Sequence, residues 1–193
     1  MADTVAVMNR GRIEQMGAPA ELYDLPKTGF VANFLGQSNL FTGAVTATTS
    51  NSIVVDIAGR SIEVPTARAQ RHAGEVTIGV RPEKVMLLTA EPAPDSRTNL
   101  IGPGRVIDVS FSGVSTSYQV AVPGLGTMVV FAQNMVFGPV VNTGAEVWLS
   151  WGVDHGFGLA DDPADGSRFP ADTDTKSIAV QEREKLEAEL DEA

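Results

Sequence analysis

Apolar and polar positions follow two rhythms along this chain. Val5 and Val7 alternate with small or polar neighbours, Asn9-Arg10-Gly11 interrupts, and Ile13 resumes on the far side. Alternation broken by such a triplet predicts an antiparallel hairpin closed by a tight turn. Gly17 ends it, and the period lengthens. Pro19 is tolerated in a first helical turn, Glu21 favours the positive end of a helix, Leu22 faces inward and Pro26 stops the element. Thr28 is suited to cap a second helix, whose Phe30, Val31, Phe34 and Leu35 are expected on one face, with Gly36 as a left-handed stop.

From Asn39 the period drops to two and stays there. Ile53, Val55 and Ile57 alternate with Val54 and Asp56, Gly59 turns the chain, and Ile62 and Val64 run on to Pro65, which reads as a hairpin. Thr66 to His72 is polar and predicts a short helical turn; Val76, Ile78 and Val80 form the next strand, and Pro82 ends its ladder or places it at an edge. Extended structure resumes over Val85 to Leu88, Ala90 to Asn99 is a loop, and strands follow over Arg105 to Phe111, Tyr118 to Val122 and Met128 to Phe131. Val147 to Trp151 and Phe157 to Leu159 complete the series. Short strands separated by Gly and Pro turns at intervals of ~8–12 residues predict a sandwich or barrel. A barrel removes the unpaired edges that so many short strands would otherwise leave.

Composition refines this picture. A length of 193 residues with 43% hydrophobic content accommodates one domain of ordinary core size plus appendages. With no Cys, a disulfide framework is excluded. No apolar run approaches a membrane span and Met1 is not followed by a basic and then apolar leader, so the expectation is a cytoplasmic protein. The net charge of −10 is unevenly spread: from Asp161 onward 11 acidic residues face 4 basic ones, a balance of −7, leaving −3 for the rest. The folded part is therefore nearly neutral. Residues 161–193 read as an acidic tail, disordered or weakly helical. The 10 Lys and Arg of the first 160 residues are too thinly spread for a phosphate-binding face, which argues against nucleic acid as a partner.

Catalytic signatures are sparse. No Gly-Lys dipeptide occurs, so the chain lacks the glycine-rich nest and lysine that cradle nucleotide phosphates. The two histidines, His72 and His155, have neither each other nor Cys at metal-ligand spacing, and no Gly-x-Ser-x-Gly elbow is present. Catalytic, cofactor and metal residues are all expected to be absent. Arg81, Glu83 and Lys84, flanking a proline at a strand exit, are the most distinctive charges. Their plainest reading is a surface ion pair worth about 0–1 kcal/mol.

The succession NRGRIEQMG, APAELYDLP and FVANFLGQSNLF between Asn9 and Phe41 resembles the end of the ATPase domain in ATP-binding subunits of bacterial ABC importers, nearest the spermidine/putrescine branch. IGVRPEKV, from Ile78 to Val85, resembles a segment of the OB-like TOBE regulatory domain that follows the ATPase in these subunits. LGQS at Leu35 to Ser38 is superficially similar to that family's signature loop, but lacks its paired glycines and reads as structural.

The resemblance implies a mainly β fold: a TOBE barrel behind a short α/β remnant of the ATPase. Residues 1–38 would be that remnant, 39–160 the regulatory domain and 161–193 the tail. Met1 is then expected to lie within a longer reading frame. The piece itself would not hydrolyse ATP; the intact subunit would use ATP and Mg, pair with a second copy, and sit beneath transmembrane permease subunits at the inner face of the membrane. In that family the edge bearing Arg81, Glu83 and Lys84 lies near subunit or ligand contacts. Iron(III), sulfate and sugar importers share the plan, and a stand-alone OB-like module for a small ligand is the alternative of a different class.

Overall fold

The structure is a computed structural model that describes residues 2–134 and 141–160, so the expected acidic tail lies outside the described residues. Strands β1 (Val5–Asn9) and β2 (Arg12–Gly17) form the expected hairpin. Its turn places Arg10 at φ 47° and Gly11 at φ 79°, the doubly left-handed pair that matches the twist of two-residue hairpins. Helix α1 (Pro19–Asp24) starts on its proline, and α2 (Gly29–Leu35) is capped by Thr28, whose Oγ1 accepts from the Val31 amide at 3.3 Å.

Two expectations about α2 are corrected. Val31 is buried with Val7 and Leu22 in a small core over the hairpin, but Phe30 and Phe34 stack on each other at 5.9 Å on the outer side, Phe34 being 65% exposed. Positions 30, 31, 34 and 35 span about 140° of helix circumference, more than one short hairpin covers. Gly36, at φ 164° and ψ 168°, is extended rather than left-handed. Its small size matters instead, because a Cβ there would lie 3.2 Å from the Tyr23 ring.

The rest of the described chain makes two five-stranded antiparallel sheets. The first contains β3 (Asn39–Thr48), β4 (Ser52–Ile57), β5 (Arg60–Pro65) and β6 (Glu75–Val80); the second contains β8 (Thr98–Phe111), β9 (Ser115–Val122), β10 (Gly126–Gln133) and β11 (Glu146–Gly152). Each is completed by a strand from the other half. β7 (Met86–Leu88) follows β6 but pairs with β11, whereas β12 (Phe157–Gly158) follows β11 but pairs with β6. The orders β12-β6-β3-β4-β5 and β7-β11-β8-β9-β10 are thus one pattern used twice, with the last strands exchanged. One core fills the space between the sheets, from Ile53, Val55, Ile62 and Val64 to Ile101, Val120, Met128 and Leu149.

Asn39 and Asn99 seal the two halves together. Asn39, at the start of β3, donates to the Val129 carbonyl at 2.8 Å and accepts from its amide at 2.7 Å. Asn99, near the start of β8, treats Glu63 the same way, at 2.9 and 2.8 Å. A side-chain amide carries the same donor and acceptor as a peptide group, so each Asn pairs with the edge strand of the opposite sheet as a backbone would. Both edges are capped by this device, and both Asn side chains are buried.

Candidate functional site

The helices meet the sheets at Arg81, one residue beyond β6. Its side chain is 3% exposed. Nη2 and Nε donate to the Tyr23 carbonyl at 2.8 and 3.3 Å; Nη1 reaches the carbonyls of Ala32 at 2.7 Å, Gly36 at 3.0 Å and Gln37 at 3.3 Å, and Ser38 Oγ at 2.7 Å. The guanidinium carbon lies 4.2 Å from the Tyr23 ring centroid and 5.8 Å from that of Phe157. Among the described residues, none of its acceptors is a carboxylate. Two of the carbonyls, of Tyr23 and Ala32, come from the last turns of α1 and α2, and a third from Gly36 just beyond α2, where helices leave acceptors unfilled and carry partial negative charge. Helix ends and two aromatic faces therefore take the place of a counter-ion.

This environment moves the titrating groups in understandable directions. Burial pulls Arg81 below its ordinary value, against the opposing pull of Tyr23, Glu83 and Asp24. The guanidinium stays charged at neutral pH because arginine starts so high. Burial, then the hydrogen bond to Glu83, raises the Tyr23 phenol; that hydroxyl donates to Glu83 Oε1 at 2.8 Å.

A second arginine braces the same elbow from the side. Arg68, in the single turn Thr66–Arg68 after β5, donates through Nη1 to Asp24 Oδ2 at 2.8 Å and through Nη2 to the Asp24 carbonyl at 2.9 Å. Its Nε donates to the Gly156 carbonyl at 2.9 Å. The Arg68 bond holds the Asp24 carboxyl below its usual range, against a smaller opposing effect of burial. Between the helices, Gln15 of the hairpin donates to the Leu25 carbonyl at 3.0 Å and accepts from the Lys27 amide at 2.9 Å, and the Ala160 amide donates to the Lys27 carbonyl at 2.7 Å.

The three charges singled out in the sequence separate here. Arg81 turns inward, while Glu83 and Lys84 sit exposed on the turn Pro82–Lys84, with Glu83 tied to Tyr23. His155 is exposed, and His72 Nε2 lies 3.0 Å from the Ala69 carbonyl and 3.3 Å from that of Thr66. Tyr23, Asp24, Arg68 and the two sealing asparagines were not foreseen. The repeated Asn-Leu after Ser38 and Thr98 is the one signal that pointed to the latter pair. An open depression of 540 Å³ beside the β9–β10 turn is lined by residues such as Pro103, Arg105, Pro123 and Glu146, and none of the residues of this joint is among those that line it. Among the described residues no helix is long and apolar enough to cross a membrane.

Residues 78–159, from within β6 to just past β12, match the TOBE domain family. The solved structure of the cytoplasmic molybdate-binding protein ModG has the same fold: it aligns at a TM-score of 0.52 and 20% identity over 62% of this chain and 94% of its own. Closer in sequence are ATP-binding proteins of polyamine import. The chain is 37% identical over 160 residues to the spermidine/putrescine import ATP-binding protein PotA of Thermobifida fusca, covering 82% of this chain and 41% of that one. The corresponding protein of Frankia alni is 36% identical over 172 residues, covering 82% and 36%, and that of Trichormus variabilis 34% over 155 residues, covering 78% and 39%. Over this length the chain is similar to the TOBE-bearing part of ATP-binding subunits of this branch. It spans about two fifths of the length of the relatives it matches.

Proposed function

We propose that this chain is the regulatory and dimerising portion of the ATP-binding subunit of a polyamine importer, in which the intact subunit uses ATP and Mg to drive uptake of spermidine or putrescine. The observation that carries this is the extent of the match to the Thermobifida fusca relative, 82% of the chain and therefore more than the TOBE segment alone. A stand-alone small-ligand module would not need the hairpin and helices at 5–35. Those elements also expose Met8, Ile13, Met16 and Phe34, an apolar surface suited to the ATPase elements of such a subunit. Residues 1–38 are the ATPase remnant in this reading, and 39–160 the regulatory domain. The subunit would work as a pair of copies beneath permease subunits at the cytoplasmic face, with exposed Glu83 and Lys84 as candidate contacts.

The test is a chimera in which residues 2–193 replace the matching part of the Thermobifida fusca subunit, reconstituted with that importer's permease and binding protein. Spermidine or putrescine should stimulate ATP hydrolysis and uptake. Steady hydrolysis with no polyamine response from a folded chimera would overturn the reading. The chain alone should bind no ATP in a calorimetric titration. It should also self-associate at micromolar concentration through its apolar N-terminal face; light scattering that gives the same monomer mass for the wild type and for Met16→Lys with Phe34→Lys would contradict this.

A further inference from the structure

The passage from α2 to β3 is Gly36-Gln37-Ser38, three small or polar residues outside any helix or strand. Such a segment is hinge-like by composition. In this structure every one of its residues places an acceptor within hydrogen-bond distance of the same nitrogen, Arg81 Nη1, whose two N–H groups are shared among two carbonyls and one hydroxyl of the linker and the Ala32 carbonyl behind it. Meanwhile Nη2 and Nε reach back to α1 through Tyr23. One planar group thus spans both helices, the linker between helix and sheet, and β6.

The internal duplication supplies a comparison within the molecule. Arg81 and Gly152 occupy the same place, the residue before the single turn that leads into each exchanged strand. Their backbones agree closely, at φ −72° and ψ 141° for Arg81 and φ −61° and ψ 138° for Gly152. The fold therefore has no backbone requirement for arginine at this position. It is present in the half whose turn faces the helices.

We propose that Arg81 is a positioning residue that locks the Gly36–Ser38 hinge, so that the helical pair and the TOBE domain move as one body and the domain's displacements reach the ATPase elements through α1 and α2. The functional half of this statement rests on the subunit reading given above; the mechanical half does not. Lysine would keep the charge but lose the fork that bonds in three directions.

The experiment has two arms. In the first, spin labels are placed at Phe34 on α2 and Thr48 on β3 of the chain, and their distance distribution is measured. Wild type should give one narrow distribution, and Arg81→Lys and Arg81→Gln a broad or shifted one with the sheets' circular dichroism retained. An unchanged distribution in folded Arg81→Gln overturns the lock. If both variants fail to fold, hydrogen exchange of the wild type decides: the amides of α2 and β6 should open together, and independent early opening of α2 overturns it. In the second arm, the chimeric importer carrying Arg81→Lys should lose about fivefold in polyamine moved per ATP hydrolysed, with basal hydrolysis unchanged. A merely structural role would lower the yield of folded protein without altering that ratio. Loss of the lock in the first arm with a normal ratio in the second overturns the transmission while leaving the subunit reading intact; a wild-type chimera deaf to polyamine fails that reading and leaves the mechanical result standing.

Discussion

The two halves of the paired-sheet region follow one backbone plan and differ at their joints. Each starts a long strand near an Asn that pairs with the other half's edge, and each ends by lending a short strand to the other sheet. At the turn into that short strand the first half has Arg81 and the second Gly152, on nearly the same backbone angles. Strand register and hydrophobic burial are thus enough to build this frame twice. The side chain at the turn answers to what lies opposite it: two helix ends for Arg81, and for Gly152 only the imidazole of its own turn, 3.3 Å from where a Cβ would stand.

Exchanging both positions for alanine should give the widest separation. Arg81→Ala leaves the buried Ala32 carbonyl and the part-buried carbonyls of Tyr23 and Gly36 without their donor, for a loss of about 3 kcal/mol, while Gly152→Ala should stay within about 0.5 kcal/mol because His155 is exposed and turns aside. Urea denaturation of both variants reads this directly. Equal losses would mean that the joint contributes nothing particular.

Asn39→Ala and Asn99→Ala should instead behave alike. Each removes two hydrogen bonds and leaves a peptide group of an edge strand unpaired, at a cost of about 2 kcal/mol. A large difference between their denaturation midpoints would break the equivalence of the halves at the point where it is strongest.

The smallest effect concerns Arg68 and Asp24. The Asp24 carboxyl is depressed below its ordinary value of 3.8, so its contribution is present above that pH and is lost as pH falls through the folded value and the pair is protonated apart. With the Asp24 side chain 56% exposed, solvent screening keeps the contribution under about 1 kcal/mol. Asp24→Asn should therefore lose less stability than wild type between neutral pH and pH of about 3. Identical acid losses in the two proteins would show the bridge to be energetically silent.

Alternation made most strands legible, as at Ile53 to Ile57 and Tyr118 to Val122, since a half-buried strand writes its burial at every second residue. It also made the hairpin and both helices legible, through turn and cap chemistry that acts within a few residues. The duplication was not legible, because the halves share little beyond Asn-Leu, and β7 and β12, at three and two residues, are too short to carry a period. Arg81 stood out as a charge beside a proline, but nothing at positions 80–84 says whether such a side chain faces water.

By itself the sequence determined a mainly β chain with a hairpin-and-helix preface, the absence of a phosphate-cradling loop, and a family resemblance spread over several segments. These depend on local propensity and on motif order, which are properties of neighbouring residues. Tertiary structure decided that the last strands are exchanged, that Asn39 and Asn99 act as pieces of backbone, and that Arg81 is buried without a carboxylate. Each of those follows from groups far apart in the chain: Arg81 bonds Tyr23 from 58 residues away, and Asn39 bonds Val129 from 90. A buried charge is tolerated only where the whole set of acceptors converges on it, and that convergence exists only once both sheets and both helices are in place.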